Sequence, residues 1–371
     1  MTGTAEEIAS RLRDSGPVRI AGAGTKAHWG NATNGAASLS TRELDQVVEH
    51  NVGDLTAVVE AGVTLRELRE RFGAESQMLA LDPPGDDATI GGIVATGDSG
   101  PLRHRYGGPR DLVLGVTVAL PDGTVARAGG KVIKNVAGYD LSKLMTGAYG
   151  TLGVVTQVSL RLHPLNRETV TAYGEAEDPV TLARVALAAS HAQYEPIALD
   201  YDWRGSQGWV YVRFGGVDAE AQATEAAKVL DEAGAATNLV ADDENLWREQ
   251  AARQRSSEGT VVRVSHTQDQ LAQLLGLVSV EGASAVGRVA LGVSYVRLCA
   301  PNPDDVATTV REMRRTLAPA ACVVLDTPDE VRRRIDPWGV EDGPELTLMR
   351  RTKQRFDPRG ILNPGIYVGG I

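Results

Sequence analysis

The sequence predicts an α+β protein with two parts: a larger N-terminal unit that wraps a long ligand, and a smaller α+β unit after it. Three observations lead there. Glycine-rich windows recur at residues 22–26, 89–100 and 147–153, all in the N-terminal half. The composition turns alanine-rich after Pro164, with helix-like and strand-like segments in alternation. A chain of 371 residues with 42% hydrophobic content also has enough apolar side chains to bury the cores of two domains.

Taken in order, residues 4–14 read as a helix and 17–20 as a strand that runs into Ala21-Gly-Ala-Gly-Thr-Lys26. A second strand is expected at residues 56–60. The helix after it has Thr64 as N-cap and Glu67 three residues on, a capping box in which side chains satisfy the free N–H groups of the first turn. Leu81-Asp-Pro-Pro-Gly85 is a rigid turn. Residues 89–108, rich in Gly, Ala, Ser and Thr, read as a long small-sided loop of the kind that is usually functional. Residues 111–120 alternate as a strand, and Pro121-Asp-Gly-Thr124 turns the chain back through Val125 and Arg127 as a hairpin.

The window 139–158 is the most informative. Leu141, Leu144 and Met145 form a helical apolar stripe, Gly147, Gly150 and Gly153 interrupt it, and the β-branched run from Val154 opens a strand. One helix cap needs one glycine. Three at this spacing let bare backbone approach a flat or anionic ligand, since no Cβ stands in the way. Beyond Pro164, helices are expected at 181–192 and 219–233, with strands near 197–203, 208–214, 259–265 and 291–298. The closing residues 356–365 read as a proline-rigid loop after a short helix.

Composition narrows the ligand. A formal net charge of −10 argues against nucleic acid, whose binding needs concentrated Lys and Arg to displace counterions. The basic runs Arg332-Arg333-Arg334 and Arg350-Arg351 read as solvated helix faces. Cys299 and Cys322 lie in apolar surroundings without a CxxC and read as buried free thiols. The six histidines (28, 50, 104, 163, 191 and 266) are scattered, so no metal site is expected. The N-terminus is acidic and amphipathic rather than a leader, and the apolar run 112–120 is too short for a bilayer of roughly 30 Å. A cytoplasmic protein that meets a membrane only through a partner is expected.

Gly22-Ala-Gly-Thr-Lys-Ala27 matches the G-x-G-x-x-A dinucleotide fingerprint. That fingerprint works through a helix directly after it, whereas here the chain enters turn material at residues 28–35. A Rossmann domain is therefore not expected, although successive N–H groups with the Thr25 hydroxyl and Lys26 ammonium would still form a phosphate nest.

The segments PVRIAGAGTK, LDPPG, ATIGGIVATGDSG, YGGPRDLVLGVTV, KVIKNVAGYDLSKLMTGAYGTLGVVTQVSLRLHP and FDPRGILNPG together resemble the PCMH-type FAD-binding domain of the vanillyl-alcohol-oxidase superfamily. KNVAGYDL and the DPWG at Asp336 make the chain most similar to the E-type FAD-binding subunits of glycolate oxidase. The resemblance implies a two-subdomain FAD-binding fold at 1–165, an α+β cap at 166–335 and a C-terminal segment, 336–371, that returns to the first domain. It implies that Gly22, Ala23, Gly24, Thr25 and Lys26 hold the pyrophosphate. Pro84, Gly91, Gly92, Ala95, Thr96 and Gly100 would pack along the cofactor, Gly147, Gly150, Gly153 and Val155 would admit the adenosine and ribityl parts, and Asn363 would sit beside the flavin. Members that attach FAD covalently carry a histidine in the first loop. Thr25 and Lys26 stand there in this chain and His28 reads as a surface or packing residue, so non-covalent FAD is expected.

Oxidation of a 2-hydroxy acid on a flavin needs an arginine for the carboxylate and a base near the hydroxyl. Related D-lactate and glycolate dehydrogenases share a histidine-bearing HxGDGN stretch that this sequence lacks. Lys134, Tyr139 and Asp140 remain as candidates to contact or tune the ring, with Lys134 and Tyr139 the catalytic candidates. Tyr201, Trp203, Arg213 and Arg297 on cap strands read as packing residues. The implied role is that of an FAD subunit working beside a larger FAD subunit and an iron–sulfur subunit. A self-sufficient dehydrogenase and a subunit that keeps the fold without turnover are the alternatives.

Overall fold

The computed structural model describes residues 4–33, 35–131 and 140–371, so Lys134 and Tyr139 lie outside the described residues. The chain divides into two compact units. The first comprises residues up to 99 with 106–165 and 340–371, and the second comprises 100–105 and 166–339.

In the first unit, Thr4 and Thr64 cap the helices Ala5–Asp14 and Leu65–Ala74, each in a reciprocal box with Glu7 or Glu67. β1 (Val18–Ala21) pairs in parallel with β2 (Ala37–Ser40). β3 (Val47–Asn51), β4 (Thr56–Glu60), β6 (Val113–Ala119), β7 (Val125–Gly129) and β8 (Val154–Arg161) form an antiparallel sheet in the order β3-β4-β8-β6-β7. The two-residue strands β5 (Gln77–Met78) and β9 (His163–Pro164) form a small separate ladder. The core gathers Leu12, Val59, Leu68, Phe72, Ile93 and Val158, every one fully buried. The first glycine loop leads from β1 into turns and then β2, with no helix among the described residues between them.

Residues 89–108 depart from the expected loop, because they contain the helix Ile90–Thr96. Ile90, Ile93 and Val94 supply a buried i, i+3, i+4 stripe, and the Thr89 hydroxyl accepts the Gly92 N–H at 3.3 Å. The glycines at 91 and 92 conceal this period in the sequence. The strand expected from 111 starts at Val113, because Pro109–Leu112 is a helical turn in which Asp111 accepts the Gly108 N–H. The closing loop follows a full helix, Pro344–Phe356, rather than a short one.

The second unit is an eight-stranded, wholly antiparallel sheet. Its strands are β10 (Thr169–Ala176), β11 (Ala198–Arg204), β12 (Gln207–Gly215), β13 (Ala236–Val240), β14 (Thr260–Ser265), β15 (Ala283–Arg288), β16 (Val293–Leu298) and β17 (Ala321–Val324). They lie in the order β13-β10-β12-β11-β15-β16-β14-β17. Helices Pro179–His191, Ala219–Glu232, Leu271–Leu277 and Pro303–Thr316 bury their apolar stripes on one face, where Leu182, Leu230, Leu274 and Val310 meet Leu199, Phe214, Val262 and Val296. On the other face Trp247, from the helix Glu244–Ala252, packs on Ala198 and Tyr211.

Candidate functional site

Asn363 organises the candidate site. Its N–H bonds the Val18 carbonyl at 2.9 Å, its Oδ1 accepts the Ile20 N–H at 2.7 Å, and its Nδ2 donates to the Tyr149 carbonyl at 2.6 Å. One side chain thus ties the C-terminal segment to β1 and to the 147–153 turn. Both Asn363 (φ 44) and Tyr149 (φ 53) sit in left-handed backbone that non-glycine residues rarely adopt. Strain of this kind persists where the surroundings over-determine it. Below this clamp, Lys353 donates to the Thr151 and Leu362 carbonyls and pairs with buried Asp357 at 2.7 Å, with burial pushing its pKa down.

Between these segments opens a cleft of about 860 Å³, counting the solvent at its mouth. All three glycine windows reach its walls: Gly22 to Lys26 from the first, Gly91, Gly92, Ala95 and Thr96 from the second, and Gly150, Gly153 and Val155 from the third, with Asn363 beside them. Met145, Ala148 and Val154 add apolar wall. Pro84, Gly100 and Gly147 do not line it. The Gly100 carbonyl instead accepts Arg288 Nε at 2.8 Å, and the Gly147 N–H bonds the Val94 carbonyl.

The glycines serve different ends. At Gly24, φ is +75 and a Cβ would meet nothing within 4 Å, so the loop is bent around open space. A Cβ on Gly22 would fall 2.0 Å from the Thr89 hydroxyl, one on Gly91 2.7 Å from Ala61 Cβ, and one on Gly153 2.3 Å from Val118 Cγ1. These three let walls of the cleft pack on each other rather than on a ligand. Gly150 combines φ +68 with a would-be Cβ 2.8 Å from Asn363 Nδ2, so a side chain there strikes the clamp first.

Lys26 also departs from the expected phosphate nest. Its ammonium lies 3.2 Å from Asp98, and both side chains are almost wholly buried. The charge is matched within the protein, leaving backbone and the Thr25 hydroxyl at the loop surface to meet an anion. Arg19, the other cation in the lining, donates to Thr33 Oγ1 and the Ala27 carbonyl, and burial lowers its pKa. Among the described lining residues there is no histidine, cysteine or carboxylate.

The remaining candidates scatter. Asp140 caps the helix Leu141–Met145 by accepting the Lys143 N–H. Tyr201 and Trp203 belong to the helix-facing core of the second unit, with the Tyr201 hydroxyl bonded to Ser294. Arg213 clamps buried Asp243 at 2.7 Å. Arg297, expected to pack, has an Nε buried without a hydrogen-bond partner. His28 is exposed. Cys322 is buried, but Cys299 is exposed, against the expectation of two buried thiols, because it lies just past the end of β16. The Asn363 clamp was missed as a structural device. Its only sequence signal is the Asn-Pro-Gly at 363–365 after a rigid loop.

A cleft reached by three distant glycine windows and tied to a C-terminal hook has the form of a site for a long nucleotide ligand. Comparison with known proteins places the chain more narrowly. Residues 3–129 match the FAD binding domain model, and residues 337–367 match that of the C-terminal domain of FAD-linked oxidases. Over these two stretches the chain is similar to FAD-linked oxidases, and FAD is its cofactor. Glycolate oxidase subunit GlcE of Escherichia coli (strain K12) is 36% identical over 183 residues, 49% of this chain and 52% of that protein. The mitochondrial D-lactate dehydrogenase [cytochrome] of Arabidopsis thaliana is 37% identical over 157 residues, 42% of this chain and 28% of that protein. The match thus spans about half of the first relative and under a third of the second. A solved alkyldihydroxyacetonephosphate synthase shares the fold, with a TM-score of 0.71 at 13% identity over 97% of this chain and 74% of that one. No helix of the described residues is long and apolar enough to cross a membrane.

Proposed function

We propose that this chain is the FAD-carrying subunit of a glycolate-oxidase-like assembly that oxidises a small 2-hydroxy acid to its 2-oxo acid. A larger FAD subunit and an iron–sulfur subunit would complete that assembly. The observation that carries the reading is the cleft itself, with three glycine windows and Asn363 around one open space and no histidine, cysteine or carboxylate among its described lining residues. FAD supplies two-electron acceptance when bound there. The chain's own part is to hold and orient: the 22–26 loop offers backbone N–H groups to the pyrophosphate, and Ala95, Met145, Ala148 and Val155 exclude water. Asn363 keeps β1 and the 147–153 turn at fixed spacing. With no histidine or cysteine among its described lining residues to form a bond, the cleft favours non-covalent FAD, released on denaturation.

The similarity to a glycolate oxidase subunit and the lack of a HxGDGN stretch both favour a partner that carries the base. The test is the visible spectrum of the isolated chain, before and after anaerobic glycolate and D-lactate. A yellow protein that stays oxidised alone, and bleaches once partner subunits are added, supports the reading. Bleaching by the isolated chain would make it a self-sufficient dehydrogenase. A chain that neither holds nor takes up FAD would refute it.

A further inference from the structure

In the second unit, arginines on the sheet face opposite the four packed helices are matched by carboxylates at one end and not at the other. Arg213 on β12 pairs with Asp243, and Arg204 on β11 pairs with Asp202. On the neighbouring strands β15, β16, β14 and β17, the alternation of residues puts no Asp or Glu on this face. Yet Arg263 of β14 and Arg297 of β16 both stand there. The register sets Arg263 opposite Tyr295 and Val261 opposite Arg297, which makes the two arginines diagonal neighbours on one face. Diagonal neighbours across an antiparallel pair are roughly 7–8 Å apart, within reach of two such long side chains.

Neither arginine has a hydrogen bond or ion pair among the described residues, and the Nε of each is buried and unpartnered. Both side chains are half-buried. Two guanidinium groups on neighbouring positions of one face repel each other, and a buried N–H without an acceptor is destabilising. This arrangement departs from the matched pairs of the same sheet, and it persists in a chain whose net charge is −10. An anion that accepts from both forks removes the repulsion and satisfies the donors.

We propose that Arg263 and Arg297 form a binding site for the carboxylate of a small organic acid, with Tyr295 next to both on the same face. Guanidinium forks match a planar carboxylate two bonds at a time. The Val261, Val286 and Val323 side chains share the face and suit a compact, partly apolar acid better than a strongly hydrated phosphate. The site rests on the reading above in taking the ligand to be the acid that the assembly oxidises.

Isothermal titration of the full-length FAD-containing protein with oxalate, glycolate, D-lactate and inorganic phosphate tests it. Saturable binding of at least one carboxylate is expected, weakened at least tenfold in Arg263→Gln and in Arg297→Gln. Lys228→Gln, on an exposed helix face, should leave it unchanged, and all variants should keep the wild-type flavin-to-protein ratio. Should a Gln variant fail to fold, Arg263→Lys and Arg297→Lys keep the charge without the fork and should still weaken binding. Absence of saturable carboxylate binding, binding of phosphate alone, or equal affinity in the arginine variants overturns the site. Carboxylate binding without flavin reduction, in the chain alone or with partners, would leave the site standing and remove the 2-hydroxy-acid reading. Flavin reduction insensitive to both arginine substitutions would do the reverse.

Discussion

Asn363 does at the residue level what the glycine loops cannot do for themselves, since loops without side chains have little with which to hold one another. Its amide gives one acceptor to Ile20 and one donor to Tyr149, from a backbone angle that disfavours most residues. Asn363→Gly removes both side-chain bonds but relieves the left-handed backbone, whereas Asn363→Ala removes the same bonds and keeps a Cβ there, leaving it about 1–2 kcal/mol worse than Gly. The expected order of thermal stability is therefore wild type, then Asn363→Gly, then Asn363→Ala, and both variants should purify with less FAD. Equal flavin content in all three would show that the clamp does not shape the cleft. The Lys26–Asp98 pair yields a second prediction. Removing one member of a buried pair strands a charge, so Asp98→Ala should lose about 3–5 kcal/mol. Lys26→Met combined with Asp98→Ala should lose less than Asp98→Ala alone, as measured by denaturant unfolding of the two variants and wild type.

At the level of elements, β17 and the end of β16 separate the two thiols. Burial raises the Cys322 pKa above its ordinary 9.0, with Arg314 opposing, whereas Cys299 is exposed. A thiol reagent at pH 8 should therefore modify one cysteine rapidly and the other only on unfolding. The stability effect has a definite sign. A folded pKa above the unfolded value gives a contribution that is complete below pH 9.0 and is lost as pH rises through the folded value. Between pH 9 and 11, wild type should lose more stability than Cys322→Ala, and parallel pH profiles would contradict the burial. The same strands show what sequence periodicity can and cannot reveal. The Thr64–Glu67 capping box, the β6–β7 hairpin and the strand after Gly153 were legible, because caps, turns and β-branched runs are local signals. β10, β13, β15 and β17 and the helix Ile90–Thr96 were not, because small residues hide their patterns. Gly174 of β10 is small because a Cβ would lie 2.7 Å from Ala235, and Gly287 of β15 because one would lie 2.8 Å from Tyr201. Tertiary packing chose those glycines against strand propensity. In the site, the glycine windows were legible as a set. The roles of Gly22, Gly91 and Gly153 in wall-to-wall packing were not, since their contacts come from distant parts of the chain.

For the whole molecule, two compact units, each with its own core, make a single unfolding free energy the wrong description. Trp29 belongs to the first unit, and Trp203, Trp209, Trp247 and Trp338 belong to the second. In a Trp29→Phe variant, tryptophan fluorescence therefore reports the second unit alone, while visible flavin absorbance reports the cleft of the first. A ligand that binds only the folded form stabilises it by RT ln(1 + [L]/Kd), about 2.7 kcal/mol at a hundredfold excess over Kd. Titrating FAD into urea melts should raise the midpoint seen by flavin absorbance and leave the tryptophan midpoint of Trp29→Phe where it was. The carboxylate site of the second unit gives the complementary arm, since oxalate should raise the tryptophan midpoint in the same variant and should not do so after Arg297→Gln. Movement of both midpoints together under either ligand would mean that the units unfold as one, and the assignment of each ligand to its own unit would then need a local probe at Asn363 and at Tyr295.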